Sequence, residues 1–104
     1  MSRSESRADP TATAGLFDLL SDETRVRIVA ELYHHWQRSP DAPCLPFSAL
    51  RERVDAADSG RFNYHLGKLR GVLVRECPEG YTLSPLGVCL GQFVAADGPA
   101  SLDV

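Results

Sequence analysis

Ser59-Gly60-Arg61-Phe62-Asn63-Tyr64-His65-Leu66-Gly67-Lys68-Leu69 is the stretch on which the fold turns. Phe62, Leu66, Leu69 and Leu73 recur at steps of 4, 3 and 4, the spacing of one buried helix face. Asp58 or Ser59 can cap this helix, which the pattern carries to about Gly71. Turning it at ~100° per residue sends Gly60, Tyr64, Gly67, Lys68 and Gly71 away from the core, with Arg61 and Asn63 on the two shoulders. The outer face therefore holds hydrogen-bond donors, one aromatic ring and glycines, but no aliphatic residue and no acid.

The period changes downstream. Val72-Leu73-Val74 opens a β-rich run and Tyr81-Thr82-Leu83 returns from it. Cys77-Pro78-Glu79-Gly80 between them suits a type I turn, so a hairpin is expected. Ser84-Pro85 then reads as an N-cap followed by proline at the first helical position. It opens a last helix through Leu86, Val88, Cys89, Leu90, Phe93 and Val94.

Upstream, Leu16, Phe17, Leu19 and Leu20 form a short apolar stripe starting near Thr13. Ser21 fits an N-cap, with Asp22 and Glu23 in the first turn, where carboxylates complement the helix dipole. Val26, Val29, Leu32, Tyr33 and Trp36 carry that second helix to about Arg38. The loop Ser39-Pro40-Asp41-Ala42-Pro43 stops it. Leu45-Pro46-Phe47 reads as a brief extended piece, and Ser48 as the cap of a third helix that turns Leu50 and Val54 inward. The turn Asp55-Ala56-Ala57-Asp58 leads back to the opening stretch. The expected fold is mainly α with a small β-hairpin, in the order helix-helix-strand-helix-helix-hairpin-helix: a winged helix-turn-helix. Residues 13–96 form the domain, and 1–12 and 97–104 read as flexible tails.

Composition bounds the function. A chain of 104 residues holds one compact domain, with little room for a catalytic pocket. Its formal net charge is −3, yet Ser59 to Arg75 contains Arg61, Lys68, Arg70 and Arg75 and no acid. A basic segment on an acidic body is the asymmetry expected where one surface faces phosphate. No Gly-rich phosphate loop, paired carboxylates or nucleophile with a placed base is found, so no enzyme activity and no cofactor are expected. Cys44, Cys77 and Cys89 are odd in number, widely spaced and without a C-x-x-C pair. They do not read as a disulfide framework and suit a reducing cytoplasm. Cys77 beside the turn is a candidate for oxidation, and Cys89 falls on the buried side of the last helix. No run approaches the ~18 apolar residues of a membrane span.

Two short helices with a tight turn and a following hairpin have a recognised physical use. The second helix fits the major groove while the first braces it, and the wing reaches adjacent backbone or the minor groove. On this reading Ser59 and the first helical amides hold a phosphate. Arg61 and Asn63 suit guanine and adenine edges respectively, and Tyr64 packs on a thymine methyl or donates to phosphate. Lys68 and Arg70 clamp phosphates, and Arg75 does so from the wing. Gly67 within the helix fits either close approach of its backbone to DNA or a tolerated surface residue. The competing expectation is a winged helix whose outer face and wing bind a protein partner without DNA.

The sequence resembles the ArsR-like winged-helix transcription regulators, particularly their archaeal members. The resemblance is carried by Leu20-Ser21-Asp22-Glu23-Thr24-Arg25-Val26-Arg27-Ile28, by Phe47-Ser48-Ala49-Leu50-Arg51, by residues 59–69, and by Glu79-Gly80-Tyr81-Thr82-Leu83-Ser84-Pro85-Leu86-Gly87. It implies a sequence-specific regulator of transcription that binds double-stranded DNA as a homodimer. The dimer would form mainly through the first and last helices, and Leu16, Phe17, Leu90, Phe93 and Val94 suit that contact. Two departures stand out. The helix before the recognition helix lacks the cysteine pair of metal-sensing members, and Asn63 stands where many members have serine. A metal-sensing role therefore does not carry over. His34 and His35, being adjacent, point to different sides of their helix and are not expected to chelate one ion together.

Overall fold

The computed structural model describes residues 9–95. Five helices and one two-stranded antiparallel sheet follow in the order α1 (Pro10–Leu19), α2 (Glu23–Arg38), α3 (Phe47–Val54), α4 (Ser59–Leu69), β1 (Val74–Cys77), β2 (Gly80–Leu83) and α5 (Pro85–Ala95). The architecture is mainly helical with a hairpin, an arrangement compatible with a winged-helix-like fold. Among the described residues no helix is long and apolar enough to cross a membrane.

α1 starts three residues before the expected Thr13, inside the stretch read as a tail. Asp9 accepts the amide of Thr11 at 3.1 Å and Pro10 occupies the first helical position. The signal was a capping one rather than an apolar one, since α1 fully buries no residue. The remaining tail assignments, 1–8 and 97–104, lie outside the described residues.

α2 is the central helix, packed against α3, α4, β2 and α5. Its cap is Asp22 rather than Ser21: the carboxylate accepts Thr24 N at 2.8 Å and Arg25 N at 3.4 Å, while the Ser21 hydroxyl donates to Asp18 O. The buried stripe of α2 runs through Arg25, Ile28, Val29, Leu32 and Tyr33, so Ile28 supersedes the half-buried Val26. Ile28, Leu32, Leu50, Phe62, Leu66, Leu69, Leu73 and Val74 join in one core. Each large apolar side chain fully removed from water contributes roughly 1.5–3 kcal/mol before chain entropy is counted.

Pro46, not Ser48, precedes the first residue of α3, and no side chain caps that end. At the other end Asp55 adopts φ 63°, ψ 44°. Asp55 N donates to Glu52 O at 3.1 Å and Ala56 N to Arg51 O at 3.2 Å. This paired reversal satisfies the last carbonyls of α3 and points the chain toward Asp58.

α4 ends at Leu69, two residues before the expected Gly71. Gly71 has φ 84° and opens a turn through Val72 and Leu73, so the first strand begins at Val74 rather than Val72. The strands pair Val74 with Leu83 through Cys77 with Gly80, leaving Pro78-Glu79 as the loop. Leu45 bridges Tyr81 by two backbone hydrogen bonds of 2.8 and 2.9 Å, a one-residue third strand where a brief extended piece was expected. A Cβ at Gly80 would lie 2.0 Å from Leu45 O, so that crossing requires glycine. Ser84 caps α5, accepting Gly87 N at 3.0 Å while its hydroxyl donates to Val72 O at 2.8 Å.

The cysteines depart from expectation. Cys44, in the loop before α3, forms a disulfide with Cys77 at the end of β1, with Cα atoms 6.5 Å apart. The bridge is invisible to spacing arguments because the Leu45–Tyr81 crossing brings together cysteines 33 residues apart. Cys89 is exposed rather than buried. The small residues Gly87 and Gly91 instead face inward, where a Cβ would meet Leu73 O at 2.1 Å and the Tyr33 ring at 2.8 Å.

Candidate nucleic-acid interface

α4 sits on the core through Phe62, His65, Leu66 and Leu69. Ser59, Gly60, Arg61, Asn63, Tyr64, Gly67 and Lys68 are exposed, as the helical spacing predicts. Tyr64 is 58% exposed, and the Lys68 ammonium, one turn later, stands 5.8 Å from the centroid of its ring. That pair places a cation over an aromatic face, an arrangement that limits the wandering of both side chains. Beyond its chain neighbours and its own helix backbone, no heavy atom lies within 4 Å of a Cβ at Gly67, so no packing contact explains the glycine there.

Two features modify the electrostatics. Asp58 caps α4, its carboxylate accepting Gly60 N at 3.0 Å and Arg61 N at 3.1 Å. The amides expected to hold a phosphate are thus occupied by an acid, and Ser59 is left with its exposed hydroxyl. Arg70, expected as a phosphate clamp, is ion-paired with Glu76 of β1. The pair links the end of α4 to the hairpin and neutralises one of the four basic groups in this region. Arg61, Lys68 and Arg75 are exposed without an acid partner among the described residues.

Beneath α4 lies a polar cluster that the sequence reading missed. Arg25 is buried, donating from Nε to Leu19 O at 2.7 Å and from Nη2 to Asp18 O at 3.4 Å. Its Nη1 lies 2.9 Å from Nδ1 of buried His65. His65 Nε2 faces Asp22 Oδ1 at 3.8 Å. One guanidinium therefore joins the C-terminal end of α1 to the underside of α4. The signal was present: Arg25 continues, one turn earlier, the stripe that carries Ile28, Val29 and Leu32. Partial desolvation pushes the Asp22 carboxyl up. The Thr24 amide, the His65 ring whose Nε2 faces the carboxylate, the Arg25 amide and the Arg25 guanidinium together outweigh it and hold the carboxyl below the ordinary aspartate range.

The residues assigned to self-association divide in two. Leu16, Leu90 and Val94 are partly buried against the core. Phe17 and Phe93 are 70% and 54% exposed, and Leu86 is also exposed. α1 and α5 thus present large apolar groups to solvent, away from the buried face of each helix.

Comparison with known families gives one match. The profile of a family described as a domain of unknown function, DUF7347, covers residues 13–94. No curated protein and no solved structure matches the chain.

Proposed function

The chain belongs to the DUF7347 family, and we propose that it is a winged helix-turn-helix regulator of transcription, akin to the ArsR-like group, that binds double-stranded DNA as a homodimer. In this reading α3 and α4 are the helix-turn-helix, α4 enters the major groove, and the β1–β2 hairpin is the wing. The carrying observation is the division of α4 into a buried apolar face and an acid-free exposed face bearing Arg61, Asn63, Tyr64 and Lys68. Arg61 and Asn63 present the donor and acceptor groups that read base edges. Lys68, Arg75 and the Tyr64 hydroxyl suit phosphates, which fix register rather than sequence. Arg70 contributes mainly by bracing the hairpin through Glu76, and Ser59 offers its hydroxyl to the backbone.

Exposed Phe17 on α1 and Phe93 on α5 support self-association, because large apolar side chains left in solvent gain from burial against a partner. Two chains would place two α4 helices in successive major grooves, about 34–36 Å apart. The cytoplasm is the compartment where such a regulator meets DNA.

Fluorescence anisotropy against a random double-stranded DNA pool, across salt concentrations and with the mass of the complex measured, tests the proposal. Salt-sensitive binding by a two-chain species is the expected result. Absence of binding at low salt would favour the protein-interaction reading, with Tyr64 as its exposed anchor.

A further inference from the structure

We infer that Cys44, Cys77 and Glu79 form a redox-gated site for one thiophilic divalent cation, of which Zn2+ is the fitting example. The two sulfurs and a Glu79 carboxylate oxygen lie within 4.8 Å of one another. They come from three places: the loop before α3, the last residue of β1, and the hairpin turn. A shared zinc holds thiolates at about 2.3 Å each, which puts two sulfurs of a tetrahedral site roughly 3.8 Å apart. The 6.5 Å separation of the two Cα atoms accommodates that geometry as well as the disulfide.

The scaffold does not depend on the sulfur–sulfur bond. Leu45 N to Tyr81 O and Tyr81 N to Leu45 O tie the residue after Cys44 to the returning strand, and Cys77 pairs with Gly80. Both sulfurs consequently stay within reach of one ion after reduction. Neither cysteine is fully buried, and Glu79 is exposed, so an ion can enter from solvent. Asp41 lines the same hollow as Cys44 and Glu79 but stands outside the cluster of three, so water would supply the remaining ligand. Two thiolates with a carboxylate select a borderline-soft ion over Mg2+ or Ca2+.

The two states exclude each other. In the oxidised chain the sulfurs bond to one another and neither is a thiolate. Exchange with a dithiol reductant breaks the Cys44–Cys77 bond: each sulfur gains one electron and one proton, and the reductant leaves as its own disulfide. Zinc then displaces the two thiol protons and takes the sulfurs as thiolates. A cross-link between loop and hairpin is present in both states, covalent in one and metal-mediated in the other.

The test is anaerobic titration of the full chain with Zn2+ alone, reading binding by competition with a chromophoric chelator and stoichiometry by native mass spectrometry. Reduced wild type and Cys89→Ser are expected to bind one ion per chain with release of about two protons. The oxidised chain and the Cys44→Ser and Cys77→Ser variants are expected to lose that binding, and Glu79→Gln to weaken it about tenfold or more. Cobalt substitution should give a thiolate charge-transfer band in the reduced chain. The inference is overturned if reduced and oxidised chains bind Zn2+ alike, or if a folded Cys44→Ser/Cys77→Ser chain retains the affinity of the reduced wild type. No DNA enters the measurement, so its failure leaves the DNA-binding proposal standing.

Discussion

Nη1 of Arg25 lies 2.9 Å from Nδ1 of His65, and because a guanidinium can only donate, Nδ1 must accept. Neutral His65 therefore carries its proton on Nε2, toward Asp22. This contact couples the start of α2 to the buried side of α4, while the same guanidinium holds the last carbonyls of α1. Arg25→Lys keeps the charge but loses the fork, leaving a buried acceptor unpaired. The expected cost is about 1–3 kcal/mol in urea denaturation. Nitrogen chemical shifts of His65 should report the Nε2–H tautomer in wild type and a changed distribution in the variant.

Asp22 gives the fold an acid-sensitive element. Its carboxyl is held below the usual aspartate range when folded, so the folded chain takes up its proton less readily than the unfolded one. The stabilisation is complete above the unfolded value and is lost as pH falls through the lower folded value. Asp22→Asn should flatten this part of the acid limb in a stability–pH profile. An unchanged limb would remove Asp22 from the account.

Asp55 occupies a left-handed conformation with φ 63°, which a side chain disfavours and glycine does not. Asp55→Gly is expected to stabilise the chain by about 0.5–1 kcal/mol, read as a raised midpoint of thermal unfolding.

Gly67 separates folding from function. A helix-interior glycine costs about 0.5–1 kcal/mol relative to alanine, and a Cβ there meets open space. Gly67→Ala should stabilise the fold by that amount and, if α4 approaches DNA closely, weaken DNA binding. Stabilisation with unaltered affinity would make Gly67 a tolerated surface residue.

Much of the fold was legible because it rests on local periodicity. Phe62, Leu66 and Leu69 give α4 and its buried face, and Ser84-Pro85 gives the start of α5. What escaped notice depends on contacts between distant segments. Ile28 is buried in place of Val26 because α2 is covered on several sides, a rotation that one helix's sequence does not settle. Asp58 could be read as a cap, but its consequence for a phosphate at the α4 terminus required the hydrogen bonds. The Arg70–Glu76 pair depends on the turn at Gly71, and the Cys44–Cys77 bridge on Leu45 crossing Tyr81. Arg25 was hidden because charge is ordinarily assigned to a solvated face, yet its place in the stripe of α2 marked it for burial.

The outer face of α4 carries the central claim, and the salt dependence of DNA binding by Lys68→Ala and Arg61→Ala/Lys68→Ala tests it most directly. Removing a cation that neutralises one phosphate should flatten the slope of log affinity against log salt by about 0.9, with lower affinity at every salt concentration. Weaker binding with a flatter slope is the predicted result. Affinity and slope equal to wild type, in variants shown to be folded, would contradict the docking of α4 on DNA.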